Sequence, residues 1–122
     1  MSHKNLFRVL SLAILALLFG VPEARAFQLG SRVTEEWIKT LERPERLKAQ
    51  KVDEVIRRLG LKPGMVVADL GAGSGLFSRP MAKAVAPNGK VYAVDIQQGL
   101  LDYIDKRDKE ERIENIKTVL GE

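Results

Sequence analysis

Two acids and three glycines carry the chemistry that this sequence offers. Gly71, Gly73 and Gly75 punctuate the run Asp69-Leu70-Gly71-Ala72-Gly73-Ser74-Gly75, directly after the apolar stretch Met65-Val66-Val67-Ala68. A glycine-rich turn that leaves a strand and opens a helix lets a ligand approach the backbone closely. Glycine has no Cβ, and the first helical turn has N–H groups without helical partners. A dinucleotide fingerprint needs glycines at the first, third and sixth positions of such a turn, and the sixth position here is Leu76. Asp69 narrows the choice further, because a carboxylate beside the turn repels pyrophosphate and attracts an ammonium or sulfonium. Asp95 closes a second apolar run, and an acid at the carboxyl end of a parallel strand can accept both hydroxyls of a ribose. One loop, one ribose acceptor and one further acid fit an adenosyl amino acid better than a dinucleotide.

Composition removes several other chemistries. The 122 residues contain no Cys, and their one histidine is His3, so disulfides, thiolate nucleophiles and Cys/His zinc sites are excluded. A serine-histidine triad and a histidine base are excluded as well once the first residues are set aside, which leaves Asp, Glu, Lys, Tyr and backbone groups.

The first residues read as an export signal. Lys4 and Arg8 form a basic start, Val9 to Phe19 is an apolar core, and Ala24-Arg25-Ala26 places small residues where a signal peptidase reads them. Cleavage after Ala26 is expected, with a mature chain starting at Phe27 that is exported to the periplasm or beyond. Without cleavage the same segment would be a membrane anchor, although its apolar stretch is short for a span. Removal of residues 1–26 leaves 17 basic against 15 acidic residues, so the basic balance belongs partly to the signal and gives no clear nucleic-acid signature.

The elements that must position the acids and glycines follow from periodicity. A helix is expected from Thr34, read as its N-cap, to Pro44, with Trp37, Ile38 and Leu41 on one face. Trp37 is read as a core residue and Arg43 and Arg46 as a surface pair, in preference to a lid. A second helix runs from Glu45 to Gly60, with Leu47, Val52, Val55, Ile56 and Leu59 as a buried stripe. Met65 to Leu70 reads as a strand buried on both faces, Leu76 to Ala86 as a helix with Pro80 in its first turn, and Val91 to Ile96 as a second buried strand. Tyr92 in that strand is read as a packing residue. Gln98 to Glu111 is a helix with Leu100, Leu101 and Ile104 inward, and Asn115 to Leu120 a third strand. This alternation is the βαβαβ unit of an α/β, Rossmann-like, doubly wound parallel sheet.

Asp69 to Gly75 and Asp95 together resemble the two nucleotide-site motifs of the class I S-adenosylmethionine-dependent methyltransferases, and Pro87-Asn88-Gly89-Lys90-Val91-Tyr92-Ala93-Val94-Asp95 is similar to a segment of many bacterial members. The resemblance spans about residues 45 to 120. It implies S-adenosyl-L-methionine as cofactor, with Gly71, Ala72, Gly73 and Gly75 lining its methionine part, Asp69 near the amino end, Asp95 on the ribose and Ile96 against the adenine. It implies methyl transfer to an unknown acceptor, small molecule or protein, and names no catalytic base.

The family's sheet has seven strands, and this sequence supplies three. The expectation is therefore a signal at 1–26, a helical lead-in at 27–46 and a partial methyltransferase domain at 47–122. The chain reads as an N-terminal fragment whose first strand faces solvent or a partner chain that completes the sheet. The alternatives are a non-catalytic S-adenosylmethionine-binding or interaction module and, on the residues alone, an NAD or flavin oxidoreductase.

Overall fold

Short β-branched runs separated by helical segments form a three-stranded parallel sheet. The computed structural model describes the backbone of residues 23–122 and the side chains of residues 30–122. The basic start and apolar core of the expected signal lie outside the described residues. Residues 31–122 form one compact unit. Among the described residues no helix is long and apolar enough to cross a membrane.

The strands are β1 (Val66–Leu70), β2 (Lys90–Asp95) and β3 (Ile116–Leu120), in the order β1-β2-β3 with both pairs parallel. The crossovers are α4 (Ser78–Val85) and α5 (Gln98–Glu111), preceded by α1 (Glu23–Leu41), α2 (Pro44–Gln50) and α3 (Val52–Leu59). Register places Asp69 beside Ala93 and Asp95 beside Leu120. Parallel neighbours project to the same side, so both acids lie on the face that carries Val91 and Ala93.

That face holds the core. Ala93 packs with Ala72, Leu101 and Ile104, and Val91 packs with Ala82 and Val85. The helices α4 and α5 therefore cover the same side of the sheet. Pro80 falls in the first turn of α4, where its missing N–H has no helical partner to lose.

Four expectations need correction. The helix expected to start at Thr34 already runs from Glu23, and Thr34 lies inside it. Thr34 packs on Gly99 of α5 so closely that no Cβ would fit at Gly99. Trp37 is not a core residue: it is 46% exposed. The helix expected from Glu45 to Gly60 is two helices, broken at Lys51 in the left-handed conformation (φ 45°), and neither α2 nor α3 contains a buried residue. Nothing in the sequence around Lys51 accounts for the break. Finally, β1 is not buried on both faces. Among the described residues it is an edge strand, and Val66 and Leu70 point to the face that α4 and α5 do not cover.

Candidate functional site

The loop between β1 and α4 is built by backbone conformation that L side chains resist. Gly71, Gly73 and Gly75 all have positive φ, at 74°, 57° and 77°. Two of them also admit close neighbours. A Cβ on Gly73 would lie 3.2 Å from Leu41 of α1, and one on Gly75 would lie 3.0 Å from both Arg79 Nη1 and Ile104 Cγ1. At Gly71 a Cβ would meet open space, so this is the point at which a ligand can reach the backbone.

The loop's N–H groups are largely turned inward. Gly71 and Ala72 both donate to the Val94 carbonyl, at 2.8 and 3.0 Å, and Gly75 donates to the Ala72 carbonyl at 2.9 Å. Gly73 donates to Asp95 Oδ2 at 2.9 Å. Such a loop is poorly suited to wrap a pyrophosphate, which is bound by N–H groups free to point at it. Its polar surroundings are carboxylates, which suit a cation or a hydroxyl donor.

The two acids are fixed in different ways. Asp95 Oδ2 takes the Gly73 N–H and Oδ1 takes the Gln97 N–H at 3.0 Å, so the strand end and the loop are tied through one side chain. Each oxygen keeps a further lone pair for an incoming donor. Asp69 Oδ2 accepts from the Ser78 hydroxyl at 2.6 Å, with Ser78 wholly buried at the start of α4. Beside them, Leu70, Ile96 and Leu120 are 78%, 74% and 53% exposed at the carboxyl ends of the three strands. Ligands of open parallel sheets bind in this position, and these side chains offer them an apolar surface. The residues expected from the sequence to hold the cofactor are thus at one end of the sheet: Asp69, Gly71, Ala72, Gly73 and Gly75 on the β1 side, Asp95 and Ile96 on the β2 side.

Sequence reasoning missed Ser78, Gln97 and Arg79. Arg79 of α4 donates to the Ser74 carbonyl at 2.8 Å, and its Nε lies 3.9 Å from Glu111 Oε1. On α5, Arg107 donates to Glu111 at 3.0 Å and to the Tyr103 hydroxyl at 2.9 Å, and that hydroxyl donates to Glu42 at 3.1 Å. The hydrogen bond from Arg107 holds the Glu111 carboxyl below its usual range and raises the guanidinium. Asp108 is 6% exposed, and its Oδ1 has no hydrogen-bond partner. Burial pushes its carboxyl up to about 6 against the pull of Arg79. Among the described residues no cluster of His, Cys, Asp and Glu is placed to hold a metal ion.

Residues 31–121 match the family model described as the tRNA methyltransferase complex GCD14 subunit. The chain belongs to this family. Over 49 residues it is 53% identical to the ribosomal RNA large subunit methyltransferase E of Myxococcus xanthus, covering 39% of this chain and 23% of that protein. The counterpart from Xanthomonas campestris is 47% identical with the same coverage. Among solved structures, a SAM-dependent methyltransferase from Aquifex aeolicus superposes with a TM-score of 0.63 and 34% identity, over 70% of this chain and 45% of that one. Coclaurine N-methyltransferase, bound to N-methylheliamine and SAH, gives 0.56 and 26% over 64% and 22%. The chain thus spans about a quarter of the curated relatives' length. Its α/β fold with a three-stranded parallel sheet is that of part of a methyltransferase domain, as the motif resemblance implies.

Proposed function

We propose that the chain is the S-adenosylmethionine-binding part of a methyltransferase, and that the loop 71–75 and Asp95 hold the cofactor. The observation that carries this reading is the pairing of an inward-turned glycine loop with two carboxylates at the strand ends. The cradle fits the group: open space at Gly71, acceptor capacity at Asp95, and exposed Ile96 for a flat apolar ring. When bound, the cofactor would supply a sulfonium methyl group, whose carbon an acceptor's lone pair can attack as the S–CH3 bond electrons leave on sulfur as a thioether.

The chain's own contribution is to bind and orient. Asp95 would accept the ribose hydroxyls while remaining fixed by Gly73 and Gln97. Asp69, held by Ser78, would supply negative charge toward the methionine ammonium. The loop backbone at Gly71 would allow the methionine part to lie against it. For the acceptor, the family description and the curated relatives point to RNA, and we extend that class to this protein as part of the proposal.

Calorimetric titration of the full chain with S-adenosylmethionine, S-adenosylhomocysteine and NAD tests the reading. Binding of both adenosyl compounds and not of NAD is expected. Binding of NAD alone, or of none of the three, overturns it. Two companions of this reading rest on other observations. The free edge of β1 supports a partner strand that extends the sheet, which light scattering with and without a candidate partner would register. The basic, apolar and small-residue order of the first 26 residues supports export with cleavage, for which N-terminal sequencing should begin at Phe27.

A further inference from the structure

The glycine loop is held at one end by Asp95, through the N–H of Gly73. Its other half, Ser74 and Gly75, is held from a different direction. Arg79 leaves the first turn of α4, folds back over Gly75 and donates Nη1 to the Ser74 carbonyl at 2.8 Å. The side chain is 12% exposed, low for an arginine, and its Nη1 lies 3.0 Å from where a Cβ on Gly75 would sit. Ser74 itself is 2% exposed, so its carbonyl has few alternatives to this donor.

The guanidinium is positioned in turn. Its Nε faces Glu111 at 3.9 Å, and the buried Asp108 carboxylate attracts it from the same helix. Glu111 is itself gripped by Arg107, which bonds Tyr103, which bonds Glu42 at the end of α1. A planar fork with donors at both ends is what such a bridge requires, since one arm must reach a carbonyl while another faces a carboxylate.

We propose that Arg79 is a positioning residue for the cofactor cradle: it sets the Ser74 peptide, and through it the second half of the glycine loop, from its place against Glu111 of α5. Its importance for binding rests on the reading of the loop as an S-adenosylmethionine site, whereas its hold on the loop does not. Arg79 does not touch the ligand in this account. It removes conformations of the loop that the ligand would otherwise have to select against.

The test compares the full chain with Arg79→Met and Arg79→Lys by amide hydrogen exchange and by titration with S-adenosylmethionine. Arg79→Met should speed exchange across residues 71–78 by about tenfold or more while leaving β2 and β3 at their own rates, because one local tether is lost and the sheet is not. Affinity for S-adenosylmethionine should fall about tenfold or more. Arg79→Lys keeps one donor for Ser74 but has no second arm for Glu111, and should recover part of both effects.

Exchange in Arg79→Met that is unchanged in the loop, or faster by the same factor in the loop and the strands, overturns the proposal. So does an affinity equal to that of the unaltered chain. If the unaltered chain binds no adenosyl compound, the cofactor reading fails, and loop-specific exchange partly restored by Arg79→Lys still establishes the tether.

Discussion

On one face of the sheet Val91 and Ala93 are fully buried under α4 and α5, while on the other Val66 and Leu70 of β1 are 66% and 78% exposed. The sequences of the two faces differ little in apolarity. Val66, Ala68 and Leu70 on the open face are as hydrophobic as Val67, Val91 and Ala93 on the covered one. Burial is therefore a property of what packs against a strand, and a continuous apolar run states only that both faces are able to accept a cover. Both site acids, Asp69 and Asp95, belong to the covered face, where helix starts and loop backbone supply their partners. The chemistry of the site is thus built on the better-packed half of the sheet.

The sharpest way to break this comparison is to remove side chains from each face. Ile104 is fully buried against Ala93 and the start of the glycine loop, so Ile104→Ala should cost about 2–5 kcal/mol in denaturant unfolding. Val66→Ala removes a similar side chain from the open face and should cost less than about 1 kcal/mol. Equal losses would mean that the open face is covered in solution.

Much of this organisation was legible in the sequence because it is local. The three strands, the helix Gln98–Glu111 and the cap at Gly60 follow from period, turn residues and left-handed positions that only glycine fills well. The glycine loop and both acids were legible because their spacing relative to a strand end is itself the signal. What escaped was set by distant partners. Thr34 has the residue type of an N-cap, yet α1 passes through it and its side chain lies in the place that Gly99 of α5 leaves. Trp37 has the period of a core residue but stays half exposed. Nothing local in the sequence marks Arg79, and only the approach of Ser74 and Glu111 gives it a task.

A second test addresses the helix that covers the sheet. Burial raises the Asp108 carboxyl from 3.8 to about 6 in the fold. Between these values the folded chain binds more protons than the unfolded one, so stability falls as pH rises through that window and is flat above it. The loss from this group is about 2 kcal/mol between pH 4 and pH 7. Glu111 shifts in the opposite direction and titrates at and below its ordinary range, so it opposes the slope only at the acid end of this window. Asp108→Asn should remove the slope between pH 4 and 6 and be more stable than the unaltered chain at pH 7. Urea midpoints at several pH values measure this, and an unchanged slope would place the titrating group elsewhere.

The smallest effect separates the two site acids. An amide replaces a carboxylate without change of shape but offers one acceptor where the acid offers two. Asp69 receives a single hydroxyl, from Ser78, so Asp69→Asn can keep that bond by presenting its oxygen and loses only the added strength of a charged acceptor. Asp95 receives two backbone N–H groups on two different oxygens, and Asp95→Asn must set its own NH2 against one of them. Removing a charged acceptor from Gly73 or Gln97 costs about 1–3 kcal/mol, so Asp95→Asn should be less stable than Asp69→Asn by about 1 kcal/mol. Thermal melts of the two variants measure the difference. The loop amides should show its origin, because loss of the Asp95 tether exposes Gly73 to exchange, whereas loss of charge at Asp69 leaves the loop closed. If Asp69→Asn proves the more costly, the start of α4 rather than the end of β2 is the stronger anchor of the cradle.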